Sequence, residues 1–298
     1  MSLPAGAKQA AVWKLSDPDN PQPANETLLP DDGSQSGESV YDLDMRTPVD
    51  PADFQDGGKH RSVVKIQSSF SNPNTGHSIW KIGTGWLIQP DIIVTDGDYV
   101  YTASQNLGAC TQMKCYIGYN GIESIDSPQV QSRYGVNVAT TTKWLETDQN
   151  RSRDVAFIQI NRPFEGDLGT VKFEVTPLSG ENVKLGVVGY PGDNPSGDEA
   201  GGRMYAEFAN TSYDLNSNPN NMINYHISTF GGQSGAPVFR NDIGKLVSIG
   251  TPSSSDGEQC NSGTSIDNKY GNDYDSYIGL FNDPSIFGSQ VKVVDMPS

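Results

Sequence analysis

A serine between glycines, in "STFGGQSGAPVF" (228–239), holds the most chemical promise in this chain. A tight turn of this composition exposes a hydroxyl at Ser234 and lets successive backbone N–H groups face one concavity. The N–H groups of Gly232 and Ser234 are therefore candidates for holding a developing oxyanion. G-x-S-G by itself is a weak pattern, since most such turns are structural. The other reactive groups are sparse. His60, His77 and His226 are the only histidines, and His226 stands eight residues before Ser234 on the strand that leads into the turn. Acids cluster in "IIVTDGDYVY" (92–101), with Asp96 and Asp98, and Asp154 opens "RDVAFIQI" (153–160).

The elements that must position these groups are short. "SVVKIQSSF", "SIWKIGT", "DIIVTD", "CYIGYNG", "VNVATTTKW" and "DVAFIQI" are β-branched or aromatic runs punctuated by Gly, Pro, Asn or Asp, and "VKLGVVGYPGD", "GRMYAEFANTS", "MINYHIST" and "KLVSIG" repeat the pattern after a connector at 162–169. Two sets of about six strands, with no long amphipathic helix between them, predict an all-β fold of two small barrels. A single large sandwich is the alternative that pattern alone leaves open.

Residues 1–60 read differently. They hold nine Asp and few apolar residues, so they are expected to form a loose acidic arm, with a propeptide as the functional alternative. The expected division is 1–60 extension, 61–165 first barrel and 166–298 second barrel with a C-terminal segment.

A formal net charge of −16 argues against nucleic acid and anionic membranes as partners. No apolar run is long enough for a transmembrane helix, and no signal peptide is visible. As it stands the chain reads as cytoplasmic, or as secreted if a leader has been removed. Cys110 and Cys115 could bridge locally, leaving Cys260 unpaired. "DGEQC" and "DNKYGNDYDSY" do not fit a calcium loop, so no cofactor and no metal is expected. The sequons at Asn25, Asn150 and Asn210 matter only on a secretory route.

The turn at 228–239, taken with "GTGWLIQPDIIVTDGDYVY" (83–101), "RDVAFIQI" and "VVGYPGD" (187–193), resembles the chymotrypsin-like serine peptidases, and within them the V8-type glutamyl endopeptidases and their fungal relatives. The resemblance runs from about Lys59 to Gly250. It implies two six-stranded antiparallel β-barrels with the active site in the cleft between them, and a triad in chain order His, Asp, Ser. It places the nucleophile on Ser234 and the orienting acid on Asp154. The base falls on Asp98, where relatives read "VTAGH" and this chain reads "VTDGD". It also places substrate binding on Thr229; His226 could compensate as a donor to an anion. The branch's substrate-binding histidine is replaced near Gly250, Thr251 and Pro252.

A carboxylate is a poor substitute for imidazole. It is a far weaker base near neutrality, it is shorter, and it offers no N–H for Asp154 to accept. Losing the histidine of a comparable triad costs about 10⁶-fold in turnover. The expectation is therefore a pseudopeptidase that binds a peptide or protein in the cleft. The alternative is an active serine endopeptidase with an unusual base, with a preference for acidic residues as one form of it. Asp98 and Asp154 are expected to lie close, with one carboxyl shifted upward or a cation between them. Restoring histidine at 98 is expected to restore esterase activity if the rest of the site is intact.

Overall fold

The computed structural model describes residues 9–16, 28–30, 40, 44–103, 106–146, 150–193, 199–216, 221–241, 246–253, 260–267 and 272–296. The expected all-β architecture is present. In the first barrel, strand Val63–Ser71 pairs with Ser78–Gln89, which pairs with Ile92–Thr95. Ile92–Thr95 pairs with Ala156–Ile160, that strand with Gln131–Thr141, and that one with Gln112–Ile117. Gln112–Ile117 returns to Val63–Ser71, closing six strands with no free edge.

The near-continuous apolar runs follow from burial on both faces. Successive side chains alternate across a strand. Ile93, Val64, Ile66 and Leu87 therefore fill the barrel interior. Val63, Trp86, Ile92 and Val94 face a second layer with Val188, Tyr190 and Tyr274.

The second barrel is built from two hydrogen-bonded sheets around one core. Ser179–Gly189 lies between Tyr205–Asp214 and Val238–Arg240, while Asn261–Ser265 lies between Met222–Tyr225 and Gly250–Ser253. Leu185, Val187, Ile223, Tyr225, Val238 and Ile249 pack together between them.

Both ends of the chain differ from expectation. The segment read as a loose arm is folded over much of its described length. Gln9–Lys14 is a strand between Gln131–Thr141 and Lys292–Asp295, with Ala10, Ala11, Val12 and Trp13 buried. Its composition was diluted by the acidic stretch around it, which hid a six-residue apolar strand. Burying side chains such as Val12 and Trp13 stabilises by about 2–3 kcal/mol each. Thr47–Pro48 pairs with Tyr205–Ala206 at the edge of the second barrel. The C-terminal segment returns to the first barrel. Helix Tyr274–Leu280 stacks Tyr277 on Phe157, ring centroids 4.9 Å apart, and sets Tyr274 edge-on to the same ring. The sequon at Asn25, most of "DGEQC" and residues 268–271 lie outside the described residues. Cys110 and Cys115 are buried and unbridged, and burial pushes both thiols well above their ordinary pKa.

Candidate functional site

The Ser234 turn is docked on the first barrel by Thr84. Thr84, in Ser78–Gln89, donates its hydroxyl to the Gly232 carbonyl at 2.6 Å and accepts the Tyr190 N–H at 2.9 Å. Its N–H reaches the Ser234 carbonyl at 3.3 Å. The turn is close enough to the barrel that its glycines are obligatory. A Cβ at Gly235, which has φ +81°, would stand 2.2 Å from the Thr84 carbonyl oxygen. At Gly232, φ +102°, a Cβ would stand 2.6 Å from the Tyr190 carbonyl oxygen. Ser234 itself is 0% exposed, so the hydroxyl is not presented to solvent as the turn's composition suggested.

Asp154 is fully buried at the head of Ala156–Ile160. Its Oδ1 accepts the Gly97 N–H at 2.8 Å and its Oδ2 accepts the Ser253 hydroxyl at 2.6 Å. Burial raises its pKa above the usual carboxylate value; hydrogen bonds from Asp96, Ser253 and Gly97 oppose the shift, and the charge of Asp98 adds to it. Both acids of the turn act on Asp154, Asp96 through a hydrogen bond and Asp98 through its charge, and a hydrogen bond between two carboxyl groups requires a proton between them.

Asp98 belongs to a different cluster. The 3-10 turn Gly97–Tyr99 is capped by Asp96, whose Oδ1 accepts the Asp98 N–H at 2.7 Å. Tyr99 turns inward, and a Cβ at Gly83 would meet its ring at 2.4 Å, so only glycine leaves room for it. The Asp98 Oδ2 lies 2.6 Å from the Nζ of Lys81, a side chain 1% exposed, and Thr102 donates to the Asp98 Oδ1 at 3.1 Å. Lys81 also donates to the Thr102 hydroxyl at 3.1 Å. The cation that the acidic pocket called for is therefore a lysine of the chain. Among the described residues no group of three His, Cys, Asp or Glu is arranged to hold a metal.

The three histidines lie in different surroundings. His60 is buried against Phe208 and Phe239, its Nδ1 makes no hydrogen bond among the described residues, and burial lowers its pKa to about 4. His77 and His226 are exposed. The Thr229 hydroxyl is buried without a hydrogen-bond partner among the described residues.

A model of the trypsin-like peptidase domain matches residues 83–249, more than half of the chain. The chain belongs to this family. The glutamyl endopeptidase of Bacillus licheniformis is 27% identical over 183 residues, 60% of this chain and 49% of that protein. The extracellular metalloprotease of Bacillus subtilis is 26% identical over 213 residues, 70% of this chain and 61% of that protein. The chain thus spans about half to three-fifths of the relatives it matches. Among solved structures, a Glu endopeptidase in complex with MPD superposes with TM-score 0.60 at 20% identity, covering 82% of this chain and 98% of that one. Human heparin binding protein superposes with TM-score 0.57 at 15% identity, covering 81% and 98%. Both share the fold of two barrels around a cleft.

Within that family frame, sequence reasoning missed three positioning side chains. Ser253 follows Pro252 in a stretch too polar to read as a strand, although its hydroxyl holds Asp154. Thr84 carries no motif of its own. Lys81 was visible only as a charge interrupting an apolar strand, "SIWKIGT", which marks a buried cation in need of a partner.

Proposed function

We propose that this chain is a serine-peptidase homologue without a working base, and that it acts by holding a peptide or protein in the cleft between its barrels. The pairing of Asp98 with Lys81 carries the reading. For Asp98 to take the proton of Ser234, its charge would have to leave a lysine whose side chain is 1% exposed. Breaking a buried pair of this kind costs about 3–5 kcal/mol. At ~1.4 kcal/mol per decade that is roughly two to three and a half further decades in rate, on top of the missing imidazole. Asp154 has no imidazole to orient and shares its hydrogen bonds with Asp96, Gly97 and Ser253. That a protein named for heparin binding shares the fold is consistent with a scaffold that binds.

The second reading, hydrolysis of peptide bonds with an unusual base, is favoured by the cradle that still surrounds Asp154 and by the two glycines that keep the Ser234 turn in shape. A preference for acidic residues gains nothing from Arg46, the cation that reaches this turn, because Asp44 and Asp193 already hold it. The discriminating measurement is hydrolysis of a mixed peptide library at neutral pH, with fluorophosphonate labelling in parallel. Neither cleavage nor labelling at Ser234 is expected. Brisk cleavage that disappears in Ser234→Ala would overturn the proposal.

A further inference from the structure

The segment ahead of the first barrel reaches the nucleophile turn through one side chain. Val49 N–H donates to the Met204 carbonyl at 2.9 Å, and Thr47–Pro48 pairs with the start of Tyr205–Asp214, so the backbone at 47–49 is fixed to the second barrel. Arg46 therefore points from a fixed origin, and its side chain is 1% exposed. Its guanidinium donates to Asp44 at 2.7 and 3.0 Å and to Asp193 at 2.5 and 3.2 Å. A further N–H reaches the Gln233 Oε1 at 3.4 Å.

Gln233 immediately precedes Ser234, and its side chain closes the turn. The same Oε1 accepts the Phe230 N–H at 3.1 Å, while the Gln233 N–H donates to the Phe230 carbonyl at 2.9 Å. A guanidinium offers only donors, so it admits the oxygen of the amide and rejects the nitrogen. With Oε1 turned inward the Phe230–Gln233 loop is closed, and Gly232 is held at φ +102° between its neighbours. Asp193 ties in the third segment, because the adjacent Gly192 N–H donates to the Gly231 carbonyl at 2.7 Å.

We propose that Arg46 is a positioning residue for the nucleophile turn: by selecting the orientation of the Gln233 amide, it sets the direction of the Gly232 and Ser234 N–H groups. Residues Asp44–Val49 then belong to the ligand site, and a chain cut after His60 has lost part of it.

The test is hydrogen–deuterium exchange followed by mass spectrometry on the full chain. In Arg46→Met, peptides covering 228–237 are expected to exchange at least tenfold faster, while those covering strand Gln112–Ile117 keep their rates. Arg46→Lys, which restores the charge and one ammonium in place of the forked guanidinium, falls between. Lys59→Met, which removes an ion pair to Asp53 from a lysine 61% exposed, leaves 228–237 unchanged. Unchanged exchange at 228–237 in Arg46→Met, or an equal rise at Gln112–Ile117, overturns the proposal. Should Arg46→Met not fold, Asp193→Asn serves in its place: faster exchange confined to 228–237 supports the assignment and unaltered exchange refutes it. The readout is indifferent to whether the cleft binds or cuts, so its outcome is separate from that of the proposed function.

Discussion

If the proposed function is right, histidine at position 98 should arm the site, and the structure predicts that the substitution fails alone. The substitution removes the carboxylate 2.6 Å from Lys81 and leaves a buried ammonium without its counter-charge, beside the Thr102 hydroxyl and the Phe70 ring. The cost is about 3–5 kcal/mol, the penalty for breaking a buried pair by deleting one partner. At roughly 2–4 °C per kcal/mol this lowers the melting temperature by on the order of 10 °C. The new imidazole would also stand beside that cation, which disfavours its protonated form, and Asp96 would still compete for Asp154. Asp98→His is therefore expected to be destabilised and inert toward an ester substrate. The triple variant Lys81→Leu, Asp96→Ala, Asp98→His removes the stranded cation and the competing carboxyl together. It is expected to recover most of the lost melting temperature and to hydrolyse the ester at least 10³-fold faster than the unmodified chain, with the gain abolished by Ser234→Ala. A calorimetric scan and a stopped assay on the two variants decide the matter. If Asp98→His alone is as stable as the parent and active, Lys81 does not govern this position.

Stability should fall in acid through two groups. His60 is held down to about 4 from 6.5, so the unfolded chain binds a proton that the folded chain refuses; stability is whole above 6.5 and declines as pH drops toward 4, by about 3 kcal/mol. His60→Phe should flatten that limb in urea titrations at pH 7.5 and 5. Glu199 is held below its usual value, against the desolvation that opposes it, by Lys65, Tyr119 and the Ile122 N–H, so its contribution is present above about 4.5 and lost as pH falls further. Burial pushes its partner Lys65 downward despite the pair, and the acid limb follows the carboxylate because that is the group that titrates there. Gly235→Ala should cost about 2–4 kcal/mol by equilibrium unfolding, since its Cβ would meet backbone at a positive φ. Trp13→Ala should cost about 3–5 kcal/mol, whereas an arm outside the fold would show no change. In the native chain DTNB should leave Cys110 and Cys115 untouched and reach them on unfolding.

Short β-branched and aromatic runs punctuated by turn residues made the barrels legible, because strand and turn preferences are local properties of the chain. The two glycines around Ser234 were legible for the same reason: a tight turn needs positive φ wherever it is placed. That residue 98 is an aspartate could be read directly from the chain. What its carboxylate pairs with could not. Lys81 and Asp98 are seventeen residues apart, Arg46 and Gln233 are 187 apart, and Ser253 and Asp154 are 99 apart. Nothing local ties these pairs together; each is decided by which charged or polar groups the closed barrels bury side by side, where a charge without a partner costs several kcal/mol. The strand at Gln9–Lys14 escaped notice for a related reason. Six residues inside an acidic, proline-rich stretch have no stability of their own, and only residues 137–141, the part of Gln131–Thr141 that extends past its pairing with Gln112–Ile117, and the returning C-terminal strand give them a place to pair.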